Sequence, residues 1–298
     1  MMAFTATIAV LGTGLLGRAI AERLHAVGYQ VIAFNRTAAK ALPLQARGIA
    51  VVGSAGLALR RADCALLLFT DATAIRSVLF APECSAALKD KTIVQMGTIG
   101  PKDSLQIERE VRQRGATYLE APVLGSQGEA KAGTLFVMVG GTEDQFAAWS
   151  ALFRSLGREP RHIGPVGKAS ALKLALNHLI AAETLAFAFS FGLIERSGIS
   201  VETFMAILRE SALYAPTFDK KLPRLIKRDY RHPNFSTRHL LKDVRLFSQE
   251  AATLGLTADA LEDLPRILDR AIAKGLGDLD YSALFDVVDP PEPGSLLS

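Results

Sequence analysis

Apolar and polar residues follow two distinct rhythms along the first half of the chain. Short apolar runs at residues 8–11, 31–35, 65–69, 92–95, 117–120 and 135–139 have the length of buried strands. Between them apolar positions recur at helical spacing, as in residues 101–114, with Pro101 at the first helical position, and in residues 143–156. Strands alternating with helices predict a doubly wound α/β domain. The alternation stops near Gly164, where Gly164, Pro165, Val166 and Gly167 form a turn-rich junction. Beyond it the pattern is helical to the end, apart from loops expected near Pro216, Pro223 and Pro233. The expectation is therefore an α/β fold in two domains. Residues 1–164 form a doubly wound sheet domain, and residues 165–298 form an all-α domain opened by a long interdomain helix. The stretch from Asp289 through Pro290, Pro291, Glu292 and Pro293 to Gly294 is expected to be a loose tail, and no internal repeat is visible.

The junction after the first apolar run narrows the class. Residues 8–11 feed Gly12, Thr13, Gly14, Leu15, Leu16 and Gly17, a Gly-x-Gly-x-x-Gly turn. A helix follows with Leu15, Leu16, Ala19, Ile20 and Leu24 at helical spacing, and Gly28 stands at its C-terminal cap. Three glycines alone are a weak signal, but between a strand and a helix they mark a Rossmann-type dinucleotide-binding unit. Gly12 allows the tight turn, Gly14 lets backbone approach a pyrophosphate, and Gly17 lets helix and strand pack closely. The second strand then ends in Asn35, Arg36 and Thr37. NAD-binding domains usually carry a carboxylate there for the ribose hydroxyls. Its absence removes repulsion of a 2′-phosphate, and the Arg36 guanidinium can grip one, so NADP is expected over NAD. The plainer alternative makes Arg36 a solvated residue opening the next helix.

Composition adds bounds. The chain has 298 residues, 49% hydrophobic and 21% charged, with a net charge of +4. That is an ordinary globular composition, long enough for two cores. The mild positive charge suits an anionic cofactor and acidic substrates and does not by itself point to nucleic acid. Cys64 and Cys84 belong to no metal-type cluster, and a reducing cytoplasm fits them. No basic leader precedes the first strand, and no signal peptide is expected. Residues 171–194 are apolar enough to need a membrane check. They carry Lys173, Asn177, His178 and Glu183, which favours a helix buried at a domain or subunit interface. The basic stretch 220–228 lacks interleaved aromatics and reads as a solvated face or subunit contact.

Lys173 and Asn177 are four residues apart and share a helical face. Such groups in an apolar helix are costly unless paired or working. Lys173 can give a proton to a carbonyl oxygen as hydride arrives at its carbon, with Asn177 orienting the reaction. The spacing equally allows a lysine snorkelling at a helix start. His178 points to another face and reads as a packed histidine. Ser126 lacks the glycine context of a nucleophile elbow.

Taken together, these segments resemble the β-hydroxyacid dehydrogenase family, relatives of 3-hydroxyisobutyrate dehydrogenase and of glyoxylate and succinic semialdehyde reductases. Four motifs carry the resemblance across nearly the whole chain: the glycine loop, the loop 120–126 (Glu-Ala-Pro-Val-Leu-Gly-Ser), the helix holding Gly167, Lys173 and Asn177, and the segment 241–246 (Leu-Lys-Asp-Val-Arg-Leu). Residues 96–101 also resemble a family segment lining the nicotinamide side. The resemblance implies that Lys173 is the catalytic acid/base, that Thr98 and Lys242 border the nicotinamide, and that Val123, Leu124, Gly125 and Ser126 hold the acid end of the substrate. It further implies a homodimer or homotetramer. In the family the loop usually reads Asp-Ala-Pro-Val-Ser-Gly-Gly, with its serine on the substrate carboxylate. Here Leu124 takes the serine position and Ser126 follows, which opens the site to a bulkier or less polar carbonyl compound.

The reading is an NADP-dependent reductase of a small carbonyl substrate, a semialdehyde or 2-oxo acid, acting in the cleft between the domains without metal, nucleic acid or membrane. Two alternatives stand beside it. One is an imine reductase of the same fold, which Lys173 opposes because an iminium arrives already protonated. The other is a catalytically idle NADP-binding module.

Overall fold

The run at residues 8–11 becomes β1 (Thr7–Leu11), third from one edge of a nine-stranded sheet in the computed structural model, which describes residues 6–257 and 262–291. With it lie β2 (Gln30–Phe34), β3 (Ala50–Val51), β4 (Cys64–Leu67), β5 (Thr92–Gln95) and β6 (Thr117–Glu120), all parallel, in the order β3-β2-β1-β4-β5-β6. The order reverses direction at β1, so the crevice between the carboxyl ends of β1 and β4 is the topological switch point where such sheets bind ligands. Three further strands, β7 (Val123–Leu124), β8 (Phe136–Gly140) and β9 (Arg161–Gly164), extend the far edge. There β8 runs antiparallel to β6 and β7, and β9 pairs parallel with β8.

The period of two in β1 sorts its side chains between two cores. Ile8 and Val10 join Ile20 and Leu24 of the helix Leu15–Ala26 on one face. Ala9 and Leu11 join Leu59, Ile75 and Leu79 on the other. Both faces are covered, which is why the parallel strands read as continuous apolar runs.

The chain divides into two compact units, one up to Lys173 and the other from Leu174 on, so the division falls inside the long helix Lys168–Arg196. In the second unit that helix packs with Val201–Glu210, Pro216–Lys227, Thr237–Thr253 and Asp263–Ala273 around an aromatic core. Phe187 stacks on Phe218 at 4.6 Å and Phe191 meets Phe285 edge-on at 5.3 Å. Each such buried ring contributes roughly 1.5–3 kcal/mol.

Six expected strands lie where the apolar runs placed them, to within two residues. Three others had no visible signal: β3 and β7 are two residues each, and the edge strand β9 is half-exposed and polar. The expected helix over 143–156 is two helices, Glu143–Ala148 and Ser150–Leu156, parted at Trp149. Pro223 lies inside the helix Pro216–Lys227 rather than in a loop. The lost N–H bond is tolerated because Phe218, Lys221 and Leu225 anchor that helix in the core.

The stretch 220–228 is not simply a solvated face. Lys221 is buried, donates to both oxygens of Asp280 at 2.7 and 2.9 Å, and lies over the Tyr281 ring. Arg228 pairs with Asp286 and Asp289. Asp289, expected in a loose tail, is buried and also pairs with Arg196; residues 292–294 of that tail lie outside the described residues. The long helix is apolar and 29 residues long. One of its stripes, with Leu172, Ala175, Leu179, Ala186, Phe189 and Leu193, is exposed in the single chain, while Lys173, Leu174, Asn177, Ala181 and Phe187 are buried.

Candidate active site

The glycine loop owes its path to close approaches. Gly12 has φ +101°, and a Cβ there would lie 2.5 Å from the Leu68 carbonyl oxygen. A Cβ on Gly17 would collide with the carbonyl oxygen of Gly12, so the tightest packing this glycine permits is of the helix against the loop itself rather than helix against strand. At Gly14, the N-cap, a Cβ would meet nothing within 4 Å, so the space in front of the loop is open. The helix that follows has no side-chain cap and no acidic residue in its first turn, and its N–H groups face the opening. Thr13 is buried, and its Oγ1 has no partner among the described residues. Open space, uncapped N–H groups and an orphaned hydroxyl at a helix N-terminus fit the pyrophosphate of a dinucleotide.

Asn35 has a role that its position in the sequence concealed. Its Oδ1 accepts from the Thr13 N–H at 2.9 Å, and its Nδ2 donates to the Thr37 carbonyl at 2.9 Å. The amide is therefore a strut between the glycine loop and the end of β2. Arg36 and Thr37 are exposed beside it.

At the end of β5, buried Gln95 takes both backbone groups of Gly97: it accepts from the N–H at 3.0 Å and donates to the carbonyl at 2.7 Å. This holds the segment carrying half-buried Thr98. Leu68 closes on Gly12, and Phe69 closes on Gly97. The stretch after β4 thereby brings the glycine loop and the Thr98 segment together at one edge of the sheet.

β6 ends at Glu120, buried to 1% exposure. Its Oε1 accepts from the N–H groups of Gly167, Ala169 and Ser170 at 2.8, 2.8 and 3.0 Å. Its Oε2 accepts from the hydroxyls of Ser104 and Ser170, each at 2.5 Å. The carboxylate thus caps the long helix and complements its dipole. Lys173 follows in the first turns of that helix and is itself buried. Glu120 opens the motif 120–126, but its role at the helix start is not written in the local sequence, since its partners are 16 to 50 residues away.

One turn further along the helix, Asn177 is 2% exposed and donates through Nδ2 to Asp243 Oδ2 at 2.6 Å, while its own Oδ1 has no hydrogen-bond partner among the described residues. Asp243 is equally buried, and Lys242 Nζ lies 2.8 Å from its other oxygen. The pair Lys242 and Asp243 is therefore no mere surface ion pair: Asp243 fixes the Asn177 amide with its carbonyl left to accept. His178 is packed as expected, its ring stacked on Phe247 at 4.1 Å, and burial lowers its pKa.

The segment expected to hold a substrate acid is partly a strand. Val123 is buried and pairs with Val137, and half-buried Leu124 pairs with Phe136. Gly125 turns at φ +133°. Ser126 then caps the helix Gln127–Ala132; its N–H and hydroxyl both donate to Glu129 Oε2, at 2.9 and 2.5 Å. The hydroxyl proton offered by the sequence for an incoming carboxylate is spent on Glu129. Both cysteines are buried thiols; burial pushes Cys84 up to about 11 and Cys64 higher still.

Likenesses to known proteins extend over nearly the whole chain. Residues 7–164 match the model described as the NAD binding domain of 6-phosphogluconate dehydrogenase. Residues 167–288 match the one described as NAD-binding of NADP-dependent 3-hydroxyisobutyrate dehydrogenase. Glyoxylate/succinic semialdehyde reductase 1 of Arabidopsis thaliana is 29% identical over 94% of this chain and 98% of its own. The 2-hydroxy-3-oxopropionate reductase of Escherichia coli is 29% identical over 94% of this chain and 96% of its own. The 3-hydroxyisobutyrate dehydrogenase of Mycobacterium tuberculosis, solved with L-serine, superposes with a TM-score of 0.85 at 26% identity, covering 96% of this chain and 99% of that one. A Rossmann-type domain followed by helices, with this glycine loop, defines an NAD(P)-dependent oxidoreductase. The chain belongs to the β-hydroxyacid dehydrogenase family, whose members interconvert hydroxyacids and carbonyl compounds.

The strut predicts a coenzyme effect without loss of fold. Asn35→Ala removes one hydrogen bond to the loop and one to Thr37, each worth about 0.5–1.5 kcal/mol; if that ordering has to be restored on binding, coenzyme affinity should fall about 5- to 150-fold. NADH and NADPH should suffer alike, as read by fluorescence titration; unchanged binding of both would show that the strut does not shape the loop.

Proposed function

We propose that this chain is an NADP-dependent reductase of small aldehydes, a semialdehyde or a 2-oxo acid, with Lys173 as the acid. The observation that carries the reading is the buried lysine, set near the start of a helix seated at the sheet edge that also holds the glycine loop. Residues 1–164 serve as the NADP-binding domain and residues 165–298 as the substrate and oligomerisation domain. Gly12, Thr13, Gly14, Leu15, Leu16 and Gly17 would hold the pyrophosphate, Arg36 and Thr37 the 2′-phosphate, and Thr98 and Lys242 would border the nicotinamide. The bound coenzyme supplies the hydride.

Lys173 Nζ delivers a proton to the carbonyl oxygen as that oxygen gains negative charge, and takes it back in the oxidative direction. Asn177 keeps its carbonyl free as an acceptor because Asp243 occupies its amide N–H, so it can orient a hydroxyl or an ammonium proton. The named activities of the Arabidopsis and Escherichia coli relatives support a short aldehyde. With Leu124 lacking a hydroxyl and Ser126 engaged by Glu129, main-chain N–H groups around Gly125 are left as donors for an acid end. The two buried thiols fit a reducing, cytoplasmic setting. The exposed stripe of the long helix repeats every seven residues at Leu172, Leu179, Ala186 and Leu193, a spacing that suits packing against a second copy in a homodimer or homotetramer.

Three measurements test this. Lys173→Ala should lower kcat about 10²- to 10⁴-fold while NADPH still binds, and near-wild-type turnover would sink the acid assignment and favour an imine reductase. Arg36→Ala should reduce the NADPH-over-NADH preference in kcat/KM about 10- to 100-fold, the worth of charged hydrogen bonds to a phosphate. A wild-type enzyme that prefers NADH with every aldehyde tried would overturn the assignment of Arg36. In sedimentation the wild type should run as a dimer or tetramer, and Leu179→Glu with Leu193→Glu should shift it toward monomer; a wild-type monomer at micromolar concentration would end that reading.

A further inference from the structure

We infer that Glu120 is a positioning residue for Lys173: its buried carboxylate sets where the helix carrying the lysine begins. The inference rests on Lys173 as the acid and adds the group that places it. Glu120 closes β6, on the same parallel edge where β1 runs into the glycine loop. Its two oxygens accept five hydrogen bonds from two other elements. Three are N–H groups at the start of the long helix, one is the Ser170 hydroxyl, and one is the Ser104 hydroxyl of the helix Pro101–Arg112. One carboxylate therefore ties the sheet, the helix that follows the Thr98 segment, and the helix that bears Lys173.

The coupling to Lys173 is short and stiff. Ser170 accounts for two of the five bonds and lies three residues before Lys173, about 4.5 Å along the helix axis. A displacement of Ser170 is carried to the lysine by the hydrogen-bonded turn between them. The neighbouring contacts leave little slack. A Cβ on Gly167 would lie 3.6 Å from Leu105 and 3.8 Å from Pro101, and Ser104 Oγ also pairs with the buried Tyr118 hydroxyl at 2.9 Å. Side-chain length and charge both matter in such a socket. Aspartate would draw the carboxylate back by one methylene, and glutamine would turn an NH₂ toward hydroxyls that now donate.

The experiment compares Glu120→Asp, Glu120→Gln and Ser170→Ala with the wild type, reading kcat, NADPH dissociation constant and amide exchange. In both Glu120 variants kcat should fall about 10- to 100-fold, the cost of displacing a reacting group by about 1 Å. The NADPH dissociation constant should stay within about twofold, because the glycine loop is untouched. Amides of Gly167, Ala169 and Ser170 should exchange at least about tenfold faster, while those of β1 and its helix are unchanged. Full kcat in a folded Glu120→Gln enzyme would overturn the inference, as would a parallel loss of kcat and NADPH binding. Should the Glu120 variants fail to fold, Ser170→Ala decides: a fall in kcat with intact NADPH binding supports the inference, and wild-type kcat overturns it. An active Lys173→Ala enzyme would refute the acid assignment and leave the exchange rates to report on the seating alone.

Discussion

A carboxylate with almost no solvent exposure sits at the end of β6, and its charge has to be met by neighbouring dipoles. Removing an ionised carboxyl group from water costs several kcal/mol unless hydrogen bonds replace the lost hydration. Glu120 recovers that cost from three backbone N–H groups and two hydroxyls. The N-terminal end of a 29-residue helix supplies the N–H groups and a partial positive charge as well. The same bonds satisfy helix donors that would otherwise be buried without acceptors. Glu120 and the helix start therefore depend on each other, and Lys173 takes its place from that dependence.

The other parts of the site follow the same logic of polar groups satisfying one another across the chain. Gln95 binds both backbone groups of Gly97, and Asn35 binds the glycine loop on one side and Thr37 on the other. Asp243 holds one end of the Asn177 amide and leaves the other available. In each case a buried or half-buried side chain fixes a backbone path or an amide orientation. Pre-organised groups of this kind need not be ordered again during a reaction.

Features written in local spacing were legible from the chain. The turn of the glycine loop is legible because its glycine spacing sits between an apolar run and a helical pattern, and Gly17 answers to a steric limit five residues away, although Gly12 answers to Leu68 on another strand's end. The six apolar runs were read because both faces of the parallel sheet are covered. Expectations failed where a distant partner outweighed local character. Pro223 looks like a loop residue but lies in a helix held by its buried face. Lys221 looks like a solvated cation, yet Asp280 and Tyr281 enclose it. Asp289 looks like tail, yet Arg196 and Arg228 hold it. Ser126 looks like a free donor, while its hydroxyl donates to Glu129 three residues on, in a capping box.

The sequence by itself determined the class of the protein: a dinucleotide turn at the end of a first strand, a parallel α/β domain, a helical remainder, and a family resemblance that the comparisons bear out. Those properties rest on periodicity and on the spacing of glycines between a strand and a helix, which are written over a few residues. Only the tertiary structure decided which polar groups are held and which are free. It made Asn35 a strut, committed the Ser126 hydroxyl, turned the Asn177 carbonyl outward from Asp243, and seated the helix of Lys173 on Glu120. The reason is physical: burial raises the cost of every unsatisfied donor or acceptor, and the partner that relieves it is chosen by the fold, from residues far apart in the chain.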